Sequence, residues 1–268
     1  MKEKNRKRPV VPHPQVGSPP PEEAERFLPK LYPPPAENLA GDLDNYARLA
    51  LDMGASEAEI VRAEDIPLDI RAYYAQCVFP RCRWTNTNDM CPTVRERITF
   101  EEAVETVQSY EYAVAFKVPP PDKEIVVEET EQIGPINIDT YWTIGREPPP
   151  DRELLYTDIV RLRIIAEMIR KVEQAAFYDG YQLSMSPGVG PCLVTWCSDQ
   201  TSCRALEKAG FCPFVNSRPP GNIAFYIDYN ALGKKLGWGE MQTRGNCGLM
   251  LEYPKFEGFY NIGLTLVG

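Results

Sequence analysis

Between Asp151 and Tyr178, the apolar residues Leu155, Ile159, Leu162, Ile165, Ile169, Val172 and Ala176 recur every three or four positions. That spacing is one face of an α-helix, and Gly180 supplies a stop, so a helix is predicted from Asp151 to Tyr178. A shorter stripe of Leu43, Tyr46, Ala47 and Ala50 predicts a helix from Asp42 to Met53, closed by Gly54. Thr99 followed by Glu102 has the form of a capping box and predicts a short helix ending near Ser109. Tyr110 to Val118 alternates and is aromatic and β-branched, which predicts a strand stopped by Pro119-Pro120-Pro121. Strands are also predicted at Ile125–Glu129, Tyr181–Met185 and Ile223–Tyr229, with a closing antiparallel pair at Leu249–Tyr253 and Phe259–Val267. Asn230 reads as the cap of a short helix that stops at Gly237, and Ala58–Ala63 fits a strand or a helix. The predicted fold class is α+β: a mixed or antiparallel sheet with packed helices and two cysteine-rich loop regions.

Proline divides the chain. Residues 1–38 hold Pro19-Pro20-Pro21 and Pro33-Pro34-Pro35 and read as an extended arm, since proline donates no backbone hydrogen bond. Phe27, Leu28, Leu31 and Tyr32 give that arm apolar anchors for the body or for a partner. Residues 39–268 form the folded domain, with two subdomains, 39–147 and 148–268, as a further option around Pro148-Pro149-Pro150.

Charge and composition narrow the function. The net charge is −9, with Lys2, Lys4, Arg6, Lys7 and Arg8 against Glu3 at the amino end, so the body is more acidic than the total. An acidic body does not track a phosphate backbone, which argues against a nucleic-acid partner. No run approaches the roughly 18 apolar residues of a membrane span, and no apolar stretch follows the first basic residues as in a secretory signal. These absences predict a cytoplasmic protein, in which thiols stay reduced and eight cysteines point to metal rather than disulfides. The only histidine, His13, lies between prolines in the arm, so histidine-based catalysis and polyimidazole metal sites are not expected.

The cysteines fall into two groups and one outlier. Cys77, Cys82 and Cys91 are spaced C-x4-C-x8-C; Cys192, Cys197, Cys203 and Cys212 are spaced C-x4-C-x5-C-x8-C; Cys247 stands alone. Four thiolates within 21 residues can reach one centre with little loop-closure entropy, and a [4Fe-4S] cluster takes four thiolates. Gly188, Gly190, Pro191 and Gly210 supply tight turns around that second group. Zinc is the rival metal, but its knuckles usually contain C-x2-C, which neither group has. The plain alternative is cysteines buried in a core without a ligand. For the first group the fourth ligand stays open among Cys247, a residue such as Asp89, and an unligated iron.

Three phrases resemble an uncharacterised family of cysteine-rich, predicted metal-binding proteins found largely in anaerobic bacteria and archaea. One is Cys77-Val-Phe-Pro-Arg-Cys82 running on to Cys91-Pro92; the second is Ala176-Phe177-Tyr178-Asp179-Gly180-Tyr181; the third is Cys192 to Cys212 followed by Arg218-Pro219 and Ile227-Asp228. The resemblance runs from about residue 42 to the end and implies metal binding, not a reaction. The chain departs from the pattern at Trp84–Asn86, at Thr93 and at Cys212-Pro213-Phe214-Val215, which leaves a shared substrate unsupported.

The leading expectation is an electron-transfer protein carrying one or two [4Fe-4S] clusters and serving a redox partner or multi-subunit complex. Gly188-x-Gly190 precedes a cysteine rather than opening a long helix and is a poor match to a dinucleotide loop. Two other readings remain: an enzyme with an open iron site near Arg83, Asp89, Arg95, Asp199, Arg204 or Arg218, and a structural metal subunit of a larger assembly. Trp84 and Trp196, beside the cysteines, are read as shields for sulfur.

Overall fold

A computed structural model describes residues 38–78, 88, 91, 98–121, 152–190, 192–195, 197, 202–207, 210–212, 224, 226–241 and 259–268. In chain order its helices are α1 (Leu39–Asp52), α2 (Ile70–Tyr73), α3 (Phe100–Gln108), α4 (Arg152–Tyr178), α5 (Cys192–Thr195) and α6 (Tyr229–Lys235). Its strands are β1 (Glu57–Arg62), β2 (Tyr112–Val118) and β3 (Asn261–Val267). The fold is α+β, as the hydrophobic pattern predicts, and the sheet is antiparallel with order β1-β2-β3.

Helices cover both faces of this sheet. Val114, Phe116, Val118 and Val267 face Leu43, Tyr46 and Ala50 of α1 and Ile159, Leu162, Ile165, Ile169, Val172 and Ala176 of α4. On the other face, Ala113, Ala115, Ile262, Leu264 and Leu266 meet Val107 of α3, Tyr229 and Leu232 of α6, and Trp238, Met241 and Tyr260. Alternate residues of a strand point to opposite faces, so every residue of β3 is buried. Because β3 pairs with β2 while α4 packs with α1, residues from both proposed subdomains share one sheet and one core.

Local signals account for the helix boundaries. The Thr99 side chain accepts from Glu102 N at 3.1 Å and the Glu102 carboxylate accepts from Thr99 N at 2.6 Å, which is the expected capping box. Three helices close with paired reverse hydrogen bonds around a glycine at positive φ: Gly54 (φ 104°), Gly180 (φ 109°) and Gly237 (φ 76°). In α4, for example, Gly180 N donates to Phe177 O and Tyr181 N donates to Ala176 O.

Several expectations need correction. Tyr181–Met185 is not a strand; a turn leads to one isolated bridge, Met185 to Leu266. Among the described residues of Ile223–Tyr229, Ile227 makes a single bridge to Leu68, and the expected strand does not reach Tyr229, where α6 already begins. Its cap is Asp228, whose side chain accepts from Ala231 N at 2.9 Å, while Asn230 lies inside the helix. The cysteines are also not confined to loops, since Cys77 and Cys192 stand on helical turns. The expected strands Ile125–Glu129 and Leu249–Tyr253, and the arm before Asn38, lie outside the described residues. Among the described residues, no helix is long and apolar enough to cross a membrane.

Candidate metal centre

The chain reaches the second cysteine group from the end of α4, along a segment held at three points. Met185 N donates to Leu266 O at 3.1 Å and Leu266 N returns a bond to Met185 O at 2.8 Å. Ser186, fully buried, donates its N–H to the Glu173 carboxylate at 2.6 Å, and its hydroxyl lies 2.9 Å from Thr265 Oγ1 and 3.3 Å from Ile169 O. Burial pushes the Glu173 carboxyl above its ordinary range, and its hydrogen bonds from Ser186 oppose that shift. Gly190 then turns with φ 72° against α4, where a β-carbon would lie 2.9 Å from Leu162 Cδ2.

This path delivers Cys192 to the start of α5. Cys192 and Cys197 are both buried, and Cys197 N donates to Cys192 O at 3.3 Å across the turn. The Thr195 hydroxyl bonds the same carbonyl at 3.4 Å. Cys203, half-buried, opens a single 3-10 turn, Arg204–Leu206, and accepts from Leu206 N at 3.0 Å. Gly210 N then donates to Glu207 O, and a β-carbon at Gly210 would sit 1.5 Å from Arg204 O, so this position demands glycine. Cys212, also half-buried, follows the exposed Phe211.

The first group has a different setting. Asp69 caps α2 by accepting from Arg71 N at 2.8 Å, and the helix continues as a π-helical turn, Tyr74–Val78, that carries Cys77. Such widened turns recur at functional sites. Cys77 is buried in an apolar cluster with Tyr73, Ala103 and Tyr226, flanked by Phe100. Tyr226 packs against Tyr73 and Phe100 with ring centroids 5.8 and 5.6 Å away. Cys91 is half-buried, and its N–H donates to Asn88 O at 3.0 Å.

Six of the eight cysteines are thus placed. Cys82 and Cys247 lie outside the described residues, as do Arg83, Trp84, Asp89, Arg95, Trp196, Asp199 and Arg218; Arg204 is exposed on its turn. Among the described residues, no three Cys, His, Asp or Glu side chains converge closely enough to hold a metal ion.

The cysteine pattern alone does not reveal the polar groups that anchor these segments. Glu173 is four residues after Ile169 and three before Ala176, on the margin of the apolar stripe, and that position is a signal of partial burial. Arg161, four residues before Ile165, carries the same signal. It is fully buried, donates to Asn261 Oδ1 and lies over the Phe259 ring at 4.7 Å from the centroid. Compared with protein-family models, curated proteins and solved structures, the chain has no match.

Proposed function

We propose that this protein binds an iron–sulfur cluster through Cys192, Cys197, Cys203 and Cys212 and acts in electron transfer with a partner redox protein. The observation that supports this most is the group itself: four cysteines in 21 residues, with Cys192 buried on α5, Cys197 buried just after it, and Cys203 and Cys212 half-buried farther along the chain. Four thiolates are the ligand set of a cubane cluster, which supplies one-electron chemistry when bound. Buried Cys192 and Cys197 would keep water from one side of the site, while Cys203 and Cys212 would face the partner. Both the burial and the tight backbone turns bear on reduction potential, because solvent access and N–H···S contacts tune it.

Cys77, Cys82 and Cys91 are proposed as ligands of a second cluster, whose fourth position is taken by Cys247 or by a residue such as Asp89, or is left as an open iron. The resemblance of both cysteine phrases to a predicted metal-binding family supports metal at both groups. A reduced, cytoplasmic setting suits thiolate ligands, and the acidic chain suits a basic protein partner better than a nucleic acid.

Purification without oxygen, followed by assay of iron, acid-labile sulfide and zinc per chain and by EPR before and after dithionite, tests this reading. About eight irons with matching sulfide indicate two cubanes, and about four indicate one. Zinc without sulfide overturns the iron–sulfur assignment and leaves a structural metal site.

A further inference from the structure

Four helices of this protein finish with the same hydrogen bond, from the backbone N–H of one residue to the carbonyl five positions earlier. It joins Ala55 to Ala50 at the end of α1, Tyr181 to Ala176 at α4, Trp238 to Gly233 at α6 and Cys197 to Cys192 at α5. This bond folds the chain back over the last helical turn, and a contact between the side chains near its two ends often accompanies it. In each case both ends are buried: Ala50 with Ala55, Ala176 with Tyr181, Gly233 with Trp238, and Cys192 (5% exposed) with Cys197 (7%). At α5, the residues at the two ends of this backbone bond are both cysteines.

We propose that Cys192 and Cys197 form a reversible disulfide when they hold no metal, making the second cysteine group a redox-gated site. This builds on the cluster reading, since the same two residues are its proposed ligands. The link would remove two of the four thiolates, so metal could not load until the bond was reduced. With a small disulfide such as oxidised glutathione as oxidant, one cysteine thiolate attacks its S–S bond and expels one small thiolate, leaving a mixed disulfide. The second cysteine sulfur then displaces the remaining small thiolate and closes the protein disulfide. Overall, two protein thiols lose two electrons and two protons, which leave on the two small thiols. Both cysteines are buried, but α5 is a single turn, and an isolated turn has little stability of its own, so local opening gives the oxidant access.

The test uses the full-length metal-free chain, oxidised with oxidised glutathione in native buffer and in concentrated urea, then alkylated, digested and mapped by mass spectrometry. In an unfolded chain, closing Cys192 to Cys197 and Cys197 to Cys203 spans five and six residues, which loop entropy separates by only about 1.3-fold. The native fold is expected to favour Cys192–Cys197 by about tenfold or more, and urea is expected to return the ratio to about that 1.3-fold value. The native link should also block iron or zinc uptake until a reductant is added. Equal ratios in both conditions, or unlinked Cys192 and Cys197 after oxidation, overturn the proposal. Metal content of the reduced protein is measured separately. If it is nil, the cluster reading fails while the linkage result stands; if metal is bound but no native link forms, the gating proposal alone fails.

Discussion

Gly263 of β3 lies directly opposite Phe116 of β2, and the Phe116 ring occupies the space a side chain at 263 would need. A β-carbon there would stand 2.0 Å from Cε2 and 2.2 Å from Cζ of the ring. The pair sits on the sheet face covered by α1 and α4, where Phe116 is fully buried, so neither the ring nor the strand has room to move aside. The glycine is thus a packing requirement of the central strand pair, upstream of everything β3 positions.

Gly263→Ala is therefore expected to destabilise the fold by about 1–3 kcal/mol through overpacking. Urea unfolding should show a lower midpoint. Adding Phe116→Leu should recover part of the loss, because the two sites share one contact and their effects do not add. An alanine variant as stable as the parent would show that the ring does not fill that space.

A second relationship ties the helices on this face. Tyr46 of α1 donates to the Asp179 carboxylate at 2.8 Å, and Tyr181 donates to Asp42 at 3.0 Å, with the two rings edge to face at 6.3 Å. Desolvation first, then the neighbouring carboxylates, raise both phenols; Tyr181 is pushed up to about 12 and Tyr46 is raised further still. A folded-state value above the unfolded one stabilises the neutral form, so this contribution is whole below the ordinary value of 10.0 and is lost as pH climbs toward 12. Stability should fall across that alkaline window. Tyr46→Phe/Tyr181→Phe should flatten the fall and lose about 1–2 kcal/mol at neutral pH. An unchanged alkaline profile in the double variant would remove these phenols as its cause.

Much of this face is legible in the sequence. Every member of the α4 stripe from Ile159 to Ala176 is buried, and the glycine stops at 54, 180 and 237 all lie where the helices end. Failures came where a single local bond outweighs hydrophobic alternation. Ile227 lies in an alternating run, yet the Asp228 carboxylate captures Ala231 N and turns the chain into α6 instead. Tyr181 to Met185 is similar: the reverse bonds that end α4 and the buried anchor of Ser186 fix a turn, and the segment meets β3 only at Met185. For the candidate site, cysteine spacing defines the groups but not their surroundings. The aromatic cluster around Cys77 draws on Tyr226, 149 positions away, and only tertiary packing brings the two together.

Glu173 links that packing to pH. Burial raises its carboxyl above the ordinary value of 4.5, so the fold favours the protonated acid. That stability is present below 4.5 and is lost as pH rises through the raised value, above which a desolvated carboxylate remains. Glu173→Gln keeps an acceptor for Ser186 N and removes the charge. It should gain about 0.5–1 kcal/mol at a pH above that raised value, with the gain vanishing below 4.5. A glutamine variant destabilised above the raised value would mean that the ionised carboxylate is worth more to Ser186 than its burial costs.

The two cysteine groups should respond differently to serine. Cys203 opens an exposed turn and is half-buried, so without metal Cys203→Ser should leave stability within about 0.5 kcal/mol of the parent. Cys77 is enclosed by Tyr73, Ala103 and Tyr226, and a hydroxyl in that apolar setting should cost about 1–3 kcal/mol even in the metal-free chain. Metal reverses the ranking at the second group, because a ligand that holds metal also holds the fold to which metal binds. In anaerobically prepared protein, Cys203→Ser should therefore lower iron and sulfide per chain and erase the stability gained on metal loading. If Cys203→Ser leaves both unchanged while Cys77→Ser still destabilises, the second group is not the metal centre and the cysteines serve packing instead.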